Sequence, residues 1–240
     1  RMKQRMLTRA KQADVIITSS GRVLEDGHRG FVEWLAHHGL EGSVVENRPL
    51  PPFADEKKPP ENGWTVGYIG RVRDIRSFEL LVEAVKTIPA FERPKLRVAG
   101  DGTAASKVRT LLMSEVEAGT IEAEVSGAFS QSELPELLQS VDVMYAMYSP
   151  QRGNVLQGAL PVKVFDAASG GVPSVVNAGC LMADVVVSEN IGAHAPWGDA
   201  ESVGQALRSL RDTVAELAAT GEREHQRWLS AMNPVLEILQ

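Results

Sequence analysis

Gly67-Tyr68-Ile69-Gly70-Arg71-Val72-Arg73-Asp74-Ile75-Arg76-Ser77 ends an apolar run that starts at Thr65 and opens a helical pattern over 77–88. A short apolar strand that stops at a glycine and passes through a basic turn into a helix is one unit of an alternating pattern. Outward from it, the sequence predicts further strands at 95–99, 121–125, 141–146, 174–176 and, weakly, 192–195. Helices are predicted at 104–118, 131–140, 162–169, 181–188 and 200–219, with a last amphipathic helix at 222–239. Short apolar strands alternating with helices indicate βαβ units and a parallel sheet covered on both faces. The expected class is therefore α/β, a Rossmann-like parallel sheet with helices on both faces. In such sheets ligands sit beyond the carboxyl ends of the strands, so the loops after Ile69, Ala99, Val125 and Ala146 are the places to look for chemistry.

Upstream, five of the 13 prolines fall between Arg48 and Asn62, a compositional break that reads as a linker. Before it, 14–18 reads as a strand, 20–38 as a helix and 43–46 as a short strand. The first segment, 1–11, begins at Arg1, carries five basic residues and reads as a helix at a cut end. A basic amphipathic helix can lie on an anionic membrane, which adds peripheral membrane contact to the candidate partners, while a solvated helix face is the ordinary alternative. The expected divisions are 1–46, a linker at 47–62, the Rossmann-like domain at 63–220 and a terminal helix at 221–240.

Composition narrows the classes. The 240 residues are 43% hydrophobic and 23% charged, enough for one full domain and part of another. No apolar run approaches the roughly 20 residues that span a bilayer. A net charge of -6 argues against a general nucleic-acid binder, which needs a basic footprint. Cys180 is the single cysteine, so no internal disulfide forms, no Cys/His cluster has zinc spacing, and a reducing cytoplasm fits. His28, His37, His38, His194 and His225 have no metal or triad partner at a recognisable spacing and are read as structural.

Two stretches can carry chemistry. In the first, Arg71 and Arg76 offer permanent charge and bidentate forks, Ser77 is a candidate helix cap, and the helix N-terminus presents free N–H groups, together a metal-free diphosphate site. The competing reading is of surface arginines, one of them paired with Asp74. The stretch lacks G-x-G-x-x-G, as does Gly100-Asp101-Gly102, so nicotinamide binding is disfavoured, and those two glycines read equally as a tight turn. The second stretch runs from Ala159 to Val176, with Pro161 suited to a helix start, Gly170-Gly171 to its end, and Lys163 and Asp166 three apart on one face. Asp166 suits a ribose diol; an exposed ion pair with Lys163 is the alternative.

In order, G-x-I-G-R-x(4)-R-S-F-x-L-L-x-E-A, V-A-G-D-G, S-G-x-F-S-x-x-E-L-P-x-L-L-x-S-V-D-V and L-P-V-K-V-F-D-A-A-S-G-G-V-P-S-V-V resemble the C-terminal domain of retaining glycosyltransferases of family four, with a GT-B fold. The resemblance covers residue 63 to about residue 239, and segment 1–46 resembles the end of that family's N-terminal, acceptor-binding domain. It implies that Arg71 and Arg76, beside Gly70 and Ser77, hold the donor diphosphate and that Asp166, the second acid of the family's pair, holds the ribose. The first acid is replaced by Gly158; Lys163, as in L-P-x-K-x-F-E sequences, with Asn154 and Gln157 more weakly, is then expected to contact the donor. The loop from Gly127 to Ser130 is expected to select the base, and Trp228 to anchor a terminal helix crossing back to the N-terminal domain.

The implied function is transfer of a sugar, with retention, from a nucleoside diphosphate sugar to a saccharide or lipid-linked acceptor. Cofactor and metal are not expected, and the missing N-terminal domain or a second copy is an expected partner. The implied setting is the cytoplasm, at the inner face of the membrane, with polysaccharide or glycolipid synthesis the family's common role. A non-catalytic nucleotide- or partner-binding module and a GT-B nucleotide-sugar 2-epimerase are the alternatives.

Overall fold

The computed structural model describes residues 2–24, 27–49, 57–153 and 155–238. The chain opens with α1 (Met2–Ala10), β1 (Ile17–Thr18), β2 (Arg22–Leu24), β3 (Gly27–Arg29), α2 (Phe31–Ala36) and β4 (Ser43–Val44). β1 pairs in parallel with β4, and β2 with β3 as an antiparallel hairpin. The helix expected over 20–38 is therefore confined to α2, and His28 belongs to a strand. Gly21, Gly27 and Gly30 break the helical period there, and Asp26-Gly27 is a hairpin-turn dipeptide in the sequence.

The second part runs β5 (Thr65–Ile69), α3 (Ile75–Thr87), β6 (Lys95–Ala99), α4 (Ala105–Glu117), β7 (Glu122–Ser126), α5 (Leu134–Gln139), β8 (Val143–Ala146), α6 (Val162–Ser169), β9 (Ser174–Asn177), α7 (Leu181–Ser188), β10 (Gly192–Ala195), α8 (Ala200–Leu210) and α9 (Ala218–Ile238). β5 to β10 form one parallel six-stranded sheet in the order β10-β9-β8-β5-β6-β7. This is the Rossmann-like sheet that the alternation predicts. α8 ends at Leu210 rather than 219. Its successor residues turn so that Ala215 and Leu217 pack with α6 and α7, and α9 begins earlier than expected, at Ala218.

Period-two alternation sorts the strands onto two faces. Val66, Tyr68, Leu96, Val98, Val143 and Tyr145 meet Phe78, Leu81 and Val85 of α3, Leu112 of α4 and Leu207 of α8. On the opposite face Ile69, Ala99 and Met144 meet Leu138 of α5 and Ala167 of α6, while Ala146 and Val176 meet Phe165 of α6 and Val186 of α7. Each of the large buried side chains contributes about 1.5–3 kcal/mol. Both faces are dry over β5, β8 and β9, which is why those strands read as continuous apolar runs, whereas the edge strands β7 and β10 are partly exposed.

The start of the expected linker is not solvated. Arg48 is buried among Glu46 (2.5 Å), Glu189 at the end of α7 (2.7 Å) and Glu224 of α9 (3.5 Å), with its guanidinium 4.1 Å from the Phe165 ring centroid. Arg223 and Arg227 reach Glu224 from α9 at 2.9 Å, and Arg223 also reaches Glu189 at 2.6 Å. Three buried carboxylates thus face three arginines, and the charges balance only if every partner is present. This cluster fastens α9 and the first segment to the sheet domain. Trp228, expected as the anchor of that helix, is 48% exposed and stacks on His225 instead.

Removing one partner of such a cluster strands buried charge, at about 3–5 kcal/mol. Arg48→Ala is accordingly expected to lower unfolding free energy by about that amount, read as a shift of the urea midpoint at unchanged slope.

Candidate active site

The chain leaves β5 toward β6 and β7 but leaves β8 toward β9 and β10, so the strand order reverses between these two neighbours. At such a reversal the following loops diverge and open a crevice. The loop after β5 is held there by the loop after β6. Gly70 N–H donates to Ala99 O (2.9 Å), Val72 N–H to Asp101 O (2.7 Å), and Ala104 N–H to Val72 O (3.1 Å). A Cβ on Gly100 would stand 1.9 Å from Gly70 O, and one on Gly102 would stand 2.2 Å from Val72 O. The two glycines therefore do more than permit a turn: they let one backbone lie on another.

A cleft of about 540 Å³ opens at this place. Tyr68, Arg71 and Arg73 come from the β5 end, and Tyr148, Lys163 and residues 159–162 from the β8 side. The far wall is Ser19, Ser20 and Phe31 from the first segment. Arg71 pairs with Asp101 at 2.8 Å, but both side chains are more than half exposed. Such a pair holds at about 0–1 kcal/mol and yields readily to a stronger anion. The Lys163 ammonium lies 3.5 Å from the Tyr68 ring centroid and 5.7 Å from that of Tyr148. Its end is also the atom that a Cβ on Gly70 would meet, at 3.4 Å. Gly70, Arg71 and Lys163 are thus brought together.

The other expected site residues divide. Arg76 is exposed, outside the cleft lining, and donates to Gln151 Oε1 at 2.9 Å. Ser77 is not the cap. Asp74 caps α3 by accepting from Arg76 N–H at 3.1 Å, and Ser77, one turn in and buried, donates to Met147 O at 2.8 Å. The chain starts its helix two residues earlier because Asp74 is the better-placed acceptor, and in place of the competing reading's pairing with an arginine side chain Asp74 makes this cap. Gly127 lines a separate 140 Å³ cavity with Gly100, Asp101 and Arg109. Asn154 lies outside the described residues, and Gln157 is exposed. Gly158 is buried at φ +88°, and a Cβ there would stand 2.3 Å from the Gly30 Cα. No side chain fits at that position while Gly30 rests on it.

Asp166 sits in α6, half-buried and outside the cleft lining, and burial pushes its carboxyl up to about 6. Among the described residues no three His, Cys, Asp or Glu side chains are grouped as a metal site requires. No described helix is long and apolar enough to cross a membrane.

The sequence over residues 63–213, more than half of the chain, matches the family model described as glycosyl transferases group 1. The chain belongs to the group 1 glycosyl transferases. No curated protein matches it. Among solved structures, this glycosyltransferase chain is similar to the lipopolysaccharide outer core galactosyltransferase WaaB (apo form; TM-score 0.67, 16% identity, 92% of this chain and 62% of that one). It is also similar to Anabaena Alr3699/HepE in complex with UDP and glucose (TM-score 0.64, 15% identity, 98% and 66%). A third is S. aureus TarM in complex with fondaparinux, alpha-GlcNAc-glycerol and UDP (TM-score 0.59, 13% identity, 96% and 46%). The chain spans about half to two thirds of the length of these structures. They show the GT-B half-domain fold.

Sequence reading missed Tyr68, Tyr148, Ser19, Ser20 and Phe31 as cleft residues. Aromatic residues in or after an apolar strand read as core, and the three from the first segment reach the cleft only through the tertiary fold.

For Asp166 the sign of the pH effect follows from burial. Its folded value of about 6 lies above the ordinary 3.8, so the folded state prefers the proton. Stability is full below the ordinary value and falls as pH rises through about 6. Asp166→Asn is expected to stabilise the protein by ~1–2 kcal/mol at about pH 7.5, the carboxyl being partly solvated, and by about half as much at about pH 5. Urea unfolding at the two pH values measures it; an equal gain at both would refute the assignment.

Proposed function

We propose that this chain is the donor-binding portion of a retaining glycosyltransferase that moves a sugar from a nucleoside diphosphate sugar to a saccharide or lipid-linked acceptor. The observation that carries the reading is the meeting of Arg71 and Lys163 beside Gly70, at the mouth of the strand-order reversal. Two cations from opposite sides of that reversal fit a diphosphate, and Arg76 with the first turn of α3 adds further positive character nearby. Supporting it, Alr3699/HepE is a structure with UDP and glucose and TarM one with UDP.

Chemically, the bond between the anomeric carbon and the phosphate oxygen breaks, and the electron pair leaves with the diphosphate. Fixed positive charge lowers the barrier by stabilising that developing charge, a task worth a few kcal/mol per well-placed donor. The acceptor oxygen bonds to the anomeric carbon on the same face, and its proton passes to the departing phosphate. No side-chain nucleophile and no metal enter this scheme. The Asp166 carboxylate is assigned to the ribose and the small cavity beside Gly127 to the base end. A cytoplasmic setting at the inner face of the membrane belongs to the same proposal.

One observation favours a second reading, a non-catalytic nucleotide- or partner-binding module. Gly158 stands at the expected first acid, and Gly30 occupies the space that any side chain there would need. An epimerase would instead need acids or histidines around the sugar, and the described cleft-lining residues include neither.

Calorimetric titration with UDP, GDP, ADP and their glucose or mannose conjugates tests the reading. One nucleotide is expected to bind without added metal, and Arg71→Ala and Lys163→Met each to weaken it about 10- to 100-fold, the loss of one charged contact. Asp166→Ala is expected to weaken nucleoside diphosphates but not inorganic pyrophosphate. Binding unaffected by Arg71→Ala and Lys163→Met would overturn the site.

The 240-residue chain alone is expected to bind nucleotide with little or no turnover, because the acceptor side is assigned to an N-terminal domain of which 1–46 supplies only the end. Steady-state transfer measured on this chain would contradict that expectation.

A further inference from the structure

Tyr68 lies in β5 with only 4% of its surface exposed, yet it touches the Lys163 ammonium and the backbone that carries Arg71. The face of its ring carries the Lys163 ammonium at 3.5 Å. Its hydroxyl donates to the Arg71 backbone carbonyl at 2.7 Å. The ring is itself held by Phe78 of α3, at 4.6 Å between centroids and tilted 56°. Three elements that meet at the strand-order reversal are thus referred to one aromatic ring.

Electrostatics explains why a ring is needed. Lys163 projects from the first turn of α6 toward a loop that carries Arg71 and Arg73, and like charges would drive a flexible lysine outward into water. The negative face of an aromatic ring attracts the ammonium without the ring itself carrying a negative charge. An aspartate in the same place would hold the ammonium too, but would cancel the charge that a diphosphate needs. A ring holds the cation and leaves it positive.

We infer that Tyr68 is the positioning residue of the diphosphate site: its ring face fixes the Lys163 ammonium and its hydroxyl fixes the turn that presents Arg71. The inference rests on the donor-site reading above, since it assigns Tyr68 to the anion that those cations would bind. The two contacts use different parts of the side chain and can be separated chemically.

The test replaces Tyr68 by phenylalanine and then by phenylalanines bearing one and three ring fluorines, which weaken the negative face while keeping shape and therefore folding. Tyr68→Phe alone is expected to raise the Kd for UDP a few-fold through loss of the Arg71 tether. Fluorination is expected to raise it further in steps, reaching about 3- to 10-fold beyond Tyr68→Phe. In a Lys163→Met background the fluorine series is expected to be flat. A ligand-free readout accompanies it: the Lys163 side-chain methylene protons, displaced by the ring current, are expected to stay displaced in Tyr68→Phe and to relax toward ordinary lysine positions with fluorination.

A flat fluorine series in the otherwise unaltered protein overturns the inference, as does a slope that survives Lys163→Met, because either would reduce Tyr68 to packing. Failure of the unaltered protein to bind UDP or pyrophosphate, with the Lys163 displacement present, overturns the donor-site reading itself and the positioning role with it.

Discussion

β5 and β8 lie side by side in the sheet, and the chain departs from them in opposite directions. The position of the main cleft follows from that reversal. Loops that leave two adjacent strands toward opposite edges cannot cover the strand ends between them, so a crevice is left open there without any residue having to be sacrificed from the core. The crevice would still collapse if its rim were free to move. Gly100 and Gly102 prevent this, because their missing side chains let the β6 loop hydrogen-bond directly to the β5 loop. The rim is backbone tied to backbone, and Arg71 is carried on it.

The rest of the cleft is built from distant sequence, and that has an energetic requirement. Ser19, Ser20 and Phe31 face the sheet domain only while the first segment stays docked. Two devices hold it. One is the close backbone approach of Gly21, Gly30 and Gly158, where any of the three would collide with a neighbour if it carried a Cβ. The other is the buried cluster around Arg48. Buried ion pairs are weak evidence for stability, since desolvation offsets much of the attraction, but they are exacting about geometry: every carboxylate must find its arginine. Glu46 and Arg48 come from beside the first segment, Glu189 from α7, and Arg223, Glu224 and Arg227 from α9. The cluster therefore specifies the arrangement of three separate pieces more than it strengthens any one of them.

How much of this was legible depended on the range of the forces involved. Strands at 65–69, 95–99 and 192–195 and helices at 162–169 and 181–188 have the boundaries read from sequence, because glycine, proline and apolar period are local signals. The stretch that forms β2 and β3 falls within the 20–38 segment that reads as helix, although Gly21, Gly27 and Gly30 interrupt it. The early end of α8 left no local sign; it arises because Ala215 and Leu217 have a core to join. At the site, Gly70, Arg71 and Lys163 were legible from strand-end position and from family resemblance. Tyr68 was not, because a tyrosine in a buried strand is indistinguishable from core until a lysine 95 positions later is seen above its ring.

Gly158 shows what the two kinds of reading contribute together. The resemblance expects an acid there, and its absence alone says only that one contact is gone. The structure adds that the contact could not be restored by substitution, because Gly30 stands 2.3 Å from where a Cβ would begin. A carboxylate at that place would require the first segment to withdraw, which would remove Ser19, Ser20 and Phe31 from the cleft and loosen the contacts beside Arg48. The choice at position 158 is therefore between a side chain and a wall. In this chain the wall is kept, and the arginines and lysine of the cleft lie at the end to which the proposed function assigns the diphosphate. For a reaction whose barrier lies in separating a leaving diphosphate from an anomeric carbon, charge at the departing end acts on the transition state directly, whereas a carboxylate at the sugar chiefly orients it. On the proposed function, a glycine at 158 forgoes the second and keeps the first.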